Sequence, residues 1–309
     1  MQRDAGDVSS TKPSLEFFHY KGVKFTKGSI YTEENLRFVE SEFQVQDDDV
    51  YNVTYPKSGT TWMLQILSLI YSNGDPARTR TVPNWLRSPW YETTSGQKCL
   101  KDLTPPRLIS SHLPSHIFAK SFFTSKAKVI YTLRNPKDVL VSLYHFAKIM
   151  HVFEDPGNFD DFLDVFLRGD LLYGSWFDHV RGWMQMKGSS NVFFITYEEL
   201  QQDLRGSVVR ICDFLGRQLD EAALDSVVEN ATFKAMKDNK MASFGYVSNE
   251  FLDHSKGSFM RKGISGDWKN HFTIAQCDHF HRVYREKMRN LPVKFSWDED
   301  WTEEGAPAL

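Results

Sequence analysis

Four times along the chain, a short apolar run ends in polar or cationic side chains and gives way to a helix-like stretch. Residues 50–55 lead into Pro56-Lys57-Ser58-Gly59-Thr60-Thr61 and then the nearly all-apolar run 62–71. Residues 128–133 lead into Arg134-Asn135-Pro136-Lys137-Asp138 and the helix-like run 139–148. Residues 107–110 lead to Ser111 and His112, and residues 192–196 lead to Tyr197-Glu198-Glu199, a helix start. Continuous hydrophobic strands alternating with helices indicate a parallel sheet covered on both faces. The pattern predicts an α/β fold: one domain over residues 1–309, with a central parallel sheet, helices on both faces and a P-loop-like strand-loop-helix. In such sheets ligands sit beyond the carboxyl ends of the strands, where these polar residues fall. Residues 238–268, poor in aliphatic periodicity and rich in Gly, Ser, Lys and Asn, read as a long loop or lid.

Composition narrows the classes. With 37 Lys+Arg against 40 Asp+Glu, the net charge of −3 excludes a strongly basic nucleic-acid platform and an acidic disordered tail. At 309 residues, 41% hydrophobic and 14% aromatic, the chain has material for a large core. A chain of this size buries about three-quarters of its unfolded surface. Cys99, Cys212 and Cys277 are too few and too scattered for a disulfide framework. A reducing, cytoplasmic compartment is expected. The start lacks an apolar run of signal-peptide type, and no stretch approaches the ~20 apolar residues of a membrane span. Residues 1–13 and 301–309 have the composition of flexible tails.

The sharpest local signal is Tyr55-Pro56-Lys57-Ser58-Gly59-Thr60-Thr61-Trp62, a strand, a tight turn and a helix start. Glycine lets the backbone approach an anion, and the free N–H groups and dipole of a helix start favour negative charge. Lys57 adds a point charge, and Ser58, Thr60 and Thr61 add hydroxyls. The lysine precedes the only glycine, so this is not the triphosphatase loop G-x-x-x-x-G-K-[ST]. A Ser/Thr-rich helix cap beside a surface lysine fits the same residues. Arg134 is placed to fork onto a phosphate, or else to pair with Asp138 on the surface. Arg261-Lys262-Gly263 adds charge and a close backbone approach, or is simply a solvated loop end. His112, one of ten histidines, stands at the sheet edge, where a general base is useful, although most lone histidines are structural. Trp62, Tyr197 and Phe233 are candidates for a purine ring and equally for core. No Asp/His cluster has metal-ligand spacing, so a metal-free site is expected.

Tyr55 to Trp62, Arg134-Asn135-Pro136-Lys137-Asp138 and Arg261-Lys262-Gly263 with Gly266-Asp267-Trp268-Lys269 occur together and in this order. In this the chain resembles the cytosolic sulfotransferases over residues 17–297. Ser110-Ser111-His112-Leu113-Pro114 and Leu172-Tyr173-Gly174-Ser175-Trp176-Phe177-Asp178-His179 look most like the hydroxysteroid subfamily; phenol-type members tend to carry lysine where Ser110 stands.

The resemblance implies sulfuryl transfer from 3′-phosphoadenosine 5′-phosphosulfate (PAPS) to an acceptor hydroxyl or amine, leaving adenosine 3′,5′-bisphosphate (PAP). By family pattern Lys57, Ser58, Gly59, Thr60, Thr61 and Trp62 hold the phosphosulfate, with Trp62 against the adenine. Arg134, Ser142, Arg261, Lys262 and Gly263, with Phe259 and Met260 beside them, match the 3′-phosphate positions. Tyr197 and the run Ala231, Thr232, Phe233, Lys234, Ala235 and Met236 match the adenine positions. His112 matches the catalytic base, Lys57 the group that stabilises the leaving oxygen, and Ser142 a restraint on Lys57. Phe18, Trp85, Tyr173, Trp176 and Tyr246 are expected, with His112, to wall the acceptor pocket. The expected acceptor is a small hydrophobic hydroxylated molecule, a steroid or related alcohol first and a phenol or amine second.

Two departures from the family pattern stand out. Ala231 replaces the usual Thr or Ser, which removes one hydroxyl contact to the nucleotide. The segment Lys269-Asn270-His271-Phe272-Thr273-Ile274-Ala275-Gln276-Cys277-Asp278 resembles the family's dimerisation segment with Ile for Val and Asp for Glu, so a homodimer is expected. The competing readings are a P-loop kinase or triphosphatase, and a nucleotide-binding relative without catalysis.

Overall fold

The computed structural model describes residues 15–291 and 293–301. A hairpin, β1 (Phe17–Tyr20) and β2 (Val23–Thr26), and helix α1 (Glu33–Ser41) precede the first sheet strand, β3 (Val50–Thr54), which runs into α2 (Thr60–Tyr71). Short helices α3 (Ala77–Thr81), α4 (Asn84–Arg87) and α5 (Thr94–Leu100) lead to β4 (Leu108–Ser111). Next come β5 (Lys128–Leu133), α6 (Pro136–Ile149), α7 (Phe159–Arg168), α8 (Trp176–Met184) and β6 (Val192–Thr196). The chain continues through α9 (Tyr197–Gln202), α10 (Leu204–Leu215), α11 (Glu221–Asn230), α12 (Phe233–Asp238) and α13 (Ile274–Lys287).

The strands β4-β3-β5-β6 form one parallel sheet in that order. Strand β3 is buried at all five positions, with a neighbour on each edge and helices on both faces, and its two polar side chains are satisfied by Thr60: Asn52 donates to the Thr60 carbonyl (2.9 Å) and Thr54 Oγ1 meets Thr60 Oγ1 (2.6 Å). Alternate side chains enter two cores. Tyr51, Val53, Val129 and Tyr131 pack with α6 and α8 on one face, while Val50, Ile130 and Ile195 pack with α2, α10 and α11 on the other. Helix α2 is consequently apolar on nearly every side, with Met63, Leu64, Ile66, Leu67, Leu69 and Ile70 buried. Truncating one of these leucines to Ala costs about 2–5 kcal/mol. The bidentate pair of Arg107 with Asp49, at 2.7 and 2.6 Å, pins the start of β3 to that of β4.

Three of the four expected strands begin where the hydrophobic pattern starts. The exception is the strand expected at 107–110, which is displaced by one residue. The Arg107 side chain turns to Asp49 and its carbonyl accepts from Val50, so pairing runs Val50 to Leu108 through Val53 to Ser111. Strand β3 ends at Thr54 because Tyr55 already begins the turn into α2, its carbonyl accepting from Ser58 N at 3.2 Å. The expected loop is present: residues 239–266 hold no helix or strand. Its middle is clipped to the end of α6 by His151 N to Phe251 O (2.9 Å) and Asp253 N to Ile149 O (2.8 Å). Of the expected tails, 1–13 and 302–309 lie outside the described residues, and Trp301 ends a 3-10 turn, Ser296–Trp301. No helix among the described residues is long and apolar enough to cross a membrane.

Candidate active site

One cavity of about 700 Å³ opens beyond the carboxyl ends of β3, β4 and β5, and Lys57, His112 and Arg134 all line it. The loop after β3 is built to receive an anion. Gly59, the N-cap of α2, has φ +111° and no side chain to cap the helix, so the first N–H groups of α2 are left to a ligand. A Cβ at Gly59 would stand 3.0 Å from the Tyr197 ring. Lys57 is a non-glycine residue at φ +69°, local strain of the kind that gathers at binding loops. Ser58, unlike its neighbours Lys57 and Gly59, is not part of the lining, and its Oγ is buried without a hydrogen-bond partner.

Arg134 does not pair with Asp138. Its two terminal nitrogens donate to the carbonyls of Lys57 (3.0 Å) and Ile264 (2.9 Å), and its Nε is buried without a partner. It thereby straps the phosphate loop to the 261–264 segment. Asp138, at the start of α6, accepts from the backbone N–H of Gly266 (2.7 Å) and Trp268 (3.0 Å) and anchors the same segment from behind. Arg261 and Lys262 converge on buried Asp267, at 2.7 and 2.6 Å. Burial alone would raise the pKa of that carboxyl, but bonds from Lys262, Asn270 and Arg261 overcome it and hold the group well below the usual carboxylate range. Gly263, at φ +66°, lies flat against Phe233, where a Cβ would be 2.0 Å from the ring.

At one aromatic side of the cavity Trp62 stands edge-on to Tyr197 (5.0 Å), with Trp62 Nε1 bonded to the Ala231 carbonyl at 2.8 Å. Phe233, Met236, Phe259 and Met260 line the cavity with them. Ala231, Thr232, Lys234 and Ala235 are not part of the lining. Ala231 is fully buried, and Thr232 caps α12 by accepting from Ala235 N. Ser142 lines the cavity from α6, with no hydrogen bond to Lys57 among the described residues.

His112 closes the end of β4. Its Nδ1 lies 2.8 Å from the Thr54 carbonyl oxygen. A carbonyl can only accept, so the ring hydrogen sits on Nδ1 and Nε2 carries the free lone pair. Burial, aided by the charge of Lys57, pushes His112 down to about 4, against the bond to Thr54, so the ring is neutral at physiological pH. The Lys57 ammonium is pushed down to about 7 by burial and by Arg134 and Arg261.

On the acceptor side, Trp85 and Tyr173 are in the lining as expected, whereas Phe18, Trp176 and Tyr246 are not. Phe18 stacks on Phe25 in the hairpin (5.8 Å). Trp176 is 1% exposed and packs between Phe177 and Tyr284, while Tyr246 is 59% exposed. The walls that sequence reasoning missed are Trp90, Phe146, Phe153, Leu172, Phe244 and Phe251. It also missed Glu92, a fully buried carboxyl that accepts from His112 N (2.8 Å) and Tyr173 OH (3.4 Å). Burial raises Glu92 to about 7. Among the described residues no three His, Cys, Asp or Glu side chains converge as a metal site.

A family profile described as a sulfotransferase domain matches residues 47–292. The chain belongs to the sulfotransferase family. Human sulfotransferase 2B1 is 55% identical over 304 residues, covering 98% of this chain and 82% of the relative. The 3-beta-hydroxysteroid sulfotransferase of Cavia porcellus is 46% identical over 281 residues, covering 91% of this chain and 97% of the relative. The crystal structure of mouse sulfotransferase SULT7A1 complexed with PAP superposes with TM-score 0.74 at 32% identity, covering 89% of this chain and 95% of that one. This sulfotransferase thus shares its fold with a nucleotide-bound relative, and the kinase alternative falls away.

Proposed function

We propose that this sulfotransferase moves the sulfuryl group of PAPS to the hydroxyl of a flat hydrophobic alcohol, a steroid or a close relative of one. The observation that carries the reading is the pairing, in one cavity, of a neutral His112 with free Nε2 and the Lys57 ammonium beside an anion cradle. Arg134 Nε, buried and unpartnered, and the uncapped start of α2 are the groups that fit the donor's anionic oxygens. His112 Nε2 takes the acceptor proton as the acceptor oxygen bonds to sulfur and the bond from sulfur to the bridging phosphate oxygen breaks. Lys57 stabilises the charge that gathers on that leaving oxygen, a fixed cation where charge develops. The products are the sulfate ester and PAP, and His112 returns its proton to solvent. The chemistry asks the protein for in-line placement and charge stabilisation rather than a covalent intermediate.

The acceptor class rests on the lining and on the hydroxysteroid relative. Around His112 the walls are Trp90, Tyr173, Trp85 and other aromatic or aliphatic side chains, which suit a rigid apolar body. The lining includes five cations, Lys57, Lys98, Arg134, Arg261 and Lys262, and no Asp or Glu. Four of these, Lys57, Arg134, Arg261 and Lys262, belong to the donor's end, so apart from Lys98 the acceptor side is walled by uncharged groups, which suit a neutral acceptor. The test is sulfate transfer to a matched set of a hydroxysteroid, a simple phenol and a protonated alkylamine. Steroid turnover above the other two supports the reading, and amine turnover above the steroid contradicts it.

The same reading takes residues 1–309 as one domain and the protein as a cytoplasmic homodimer. Three free cysteines, Cys99, Cys212 and Cys277, support a reducing compartment. Ile274, 83% exposed at the first turn of α13 within the segment Lys269 to Asp278, supports a self-association surface there.

A further inference from the structure

Among the described residues, the ammonium of Lys57 faces no carboxylate. Its Nζ stands 3.9 Å from the ring centre of Phe146 and 4.3 Å from that of Phe259. The two rings meet edge to face at 5.7 Å, so the cation lies against both. They come from opposite sides of the site. Phe146 is on α6, one turn beyond Ser142, and Phe259 is in the long loop, two residues before Arg261. The charged and titratable groups around the ammonium are Arg134 after β5, Arg261 in the loop and His112 after β4, all of which repel a cation or are neutral. The backbone also aims the side chain, with φ +69° at Lys57 and its carbonyl held by Arg134 at 3.0 Å.

We propose that Phe146 and Phe259 are positioning residues that clasp the Lys57 ammonium between their ring faces until the donor's oxygens replace them. The inference rests on the role given to Lys57 above. A ring face attracts a cation without neutralising it. A carboxylate in the same place would also hold the lysine, but it would repel the phosphosulfate and have to be displaced. The clasp closes only when the loop is seated, because Phe259 belongs to the segment that carries Arg261 and Lys262. Phe259 in turn lies on Phe244 (4.2 Å) and Phe244 on Trp85 (5.5 Å), so the seat of Lys57 is continuous with the acceptor wall.

The test replaces each ring by an aliphatic side chain, Phe146→Leu and Phe259→Leu, with Phe259→Trp as the rescue. The first readout does not depend on turnover: the pH dependence of acylation of Lys57 by a small amine-reactive ester, followed by peptide mass spectrometry. Losing a ring removes an interaction that favours the charged amine, so the midpoint moves toward acid by about one pH unit in the leucine variants. The tryptophan variant returns it to the parent position. The second readout is kcat, which falls about tenfold in the leucine variants while the dissociation constant for PAP changes less. An unmoved midpoint overturns the proposal even if kcat falls, since the fall then reports packing. A moved midpoint with parental kcat overturns it as well. A parent that transfers no sulfate at all would count against the function proposed above, and the acylation midpoint would still report on the clasp.

Discussion

Thr54 ends β3 and His112 directly follows the neighbouring parallel strand β4, and the 2.8 Å bond from the His112 ring to the Thr54 carbonyl fixes which nitrogen is basic. The pairing of β3 with β4 decides this contact, so the sheet itself sets the tautomer. His112→Ala is expected to lower kcat by about 10²- to 10⁴-fold, the range for removing a general base. Thermal unfolding and PAP binding should stay near parental values, because the ring bond that is lost ends on the Thr54 carbonyl rather than on a residue of the anion loop. Steady-state kinetics beside a calorimetric titration with PAP checks both halves.

Lys57 and His112 set a pH window of known sign. His112 is depressed to about 4 and is a base only above that value; Lys57 is depressed to about 7 and is a cation only below it. For the free enzyme kcat/KM with respect to donor should therefore fall on the acid side near pH 4 and on the alkaline side near pH 7. Bound donor anions favour the ammonium, so the alkaline limb of kcat lies at higher pH than that of kcat/KM. Lys57→Arg keeps its charge throughout and should lose the alkaline limb while retaining the acid one. An alkaline limb that survives in this variant would assign it to another group.

Gly263 tests the nucleotide end. Its φ of +66° and the 2.0 Å approach a Cβ would make to the Phe233 ring leave no room for alanine. Gly263→Ala should weaken PAP binding by about 5- to 150-fold, the effect of ~1–3 kcal/mol of strain placed in the loop. The global melting temperature should move little, since the loop is not part of either core. Equilibrium binding of PAP measures it.

Ile274 tests self-association. An isoleucine 83% exposed at a helix start has no packing role within the chain. Ile274→Glu should convert the protein to a monomer by sedimentation velocity while kcat stays within about twofold, because α13 contributes nothing to the cavity lining.

Much of this architecture is legible in the chain because its signals are local. A parallel strand buried on both faces reads as a mostly apolar run, and a glycine followed by two threonines and an apolar run marks the turn and start of α2. The Asn135-Pro136 start of α6 is equally local: Asn135 caps the helix and Pro136 occupies its first turn. The tertiary partners are less legible. Asp138 reads as the partner of Arg134 four residues away, yet α6 turns it toward the backbone of Gly266 and Trp268, more than a hundred residues on. The family resemblance makes Trp176 a pocket wall, but the start of α8 turns it inward onto Tyr284. Phe146 carries no signal at all, since only the fold brings it to Lys57. Glu92, a lone acid between Tyr91 and Thr93, shows its role only when β4 delivers His112 N to it.

The most direct test of the account is transfer of radiolabelled sulfate from PAPS to a hydroxysteroid by the parent protein, with His112→Ala and Lys57→Ala measured beside it. The account predicts a labelled steroid sulfate from the parent and a loss of at least a hundredfold in each variant, with PAP still bound by His112→Ala. Parental rates in His112→Ala, or PAP binding by the parent without label on any hydroxylated acceptor, would contradict it.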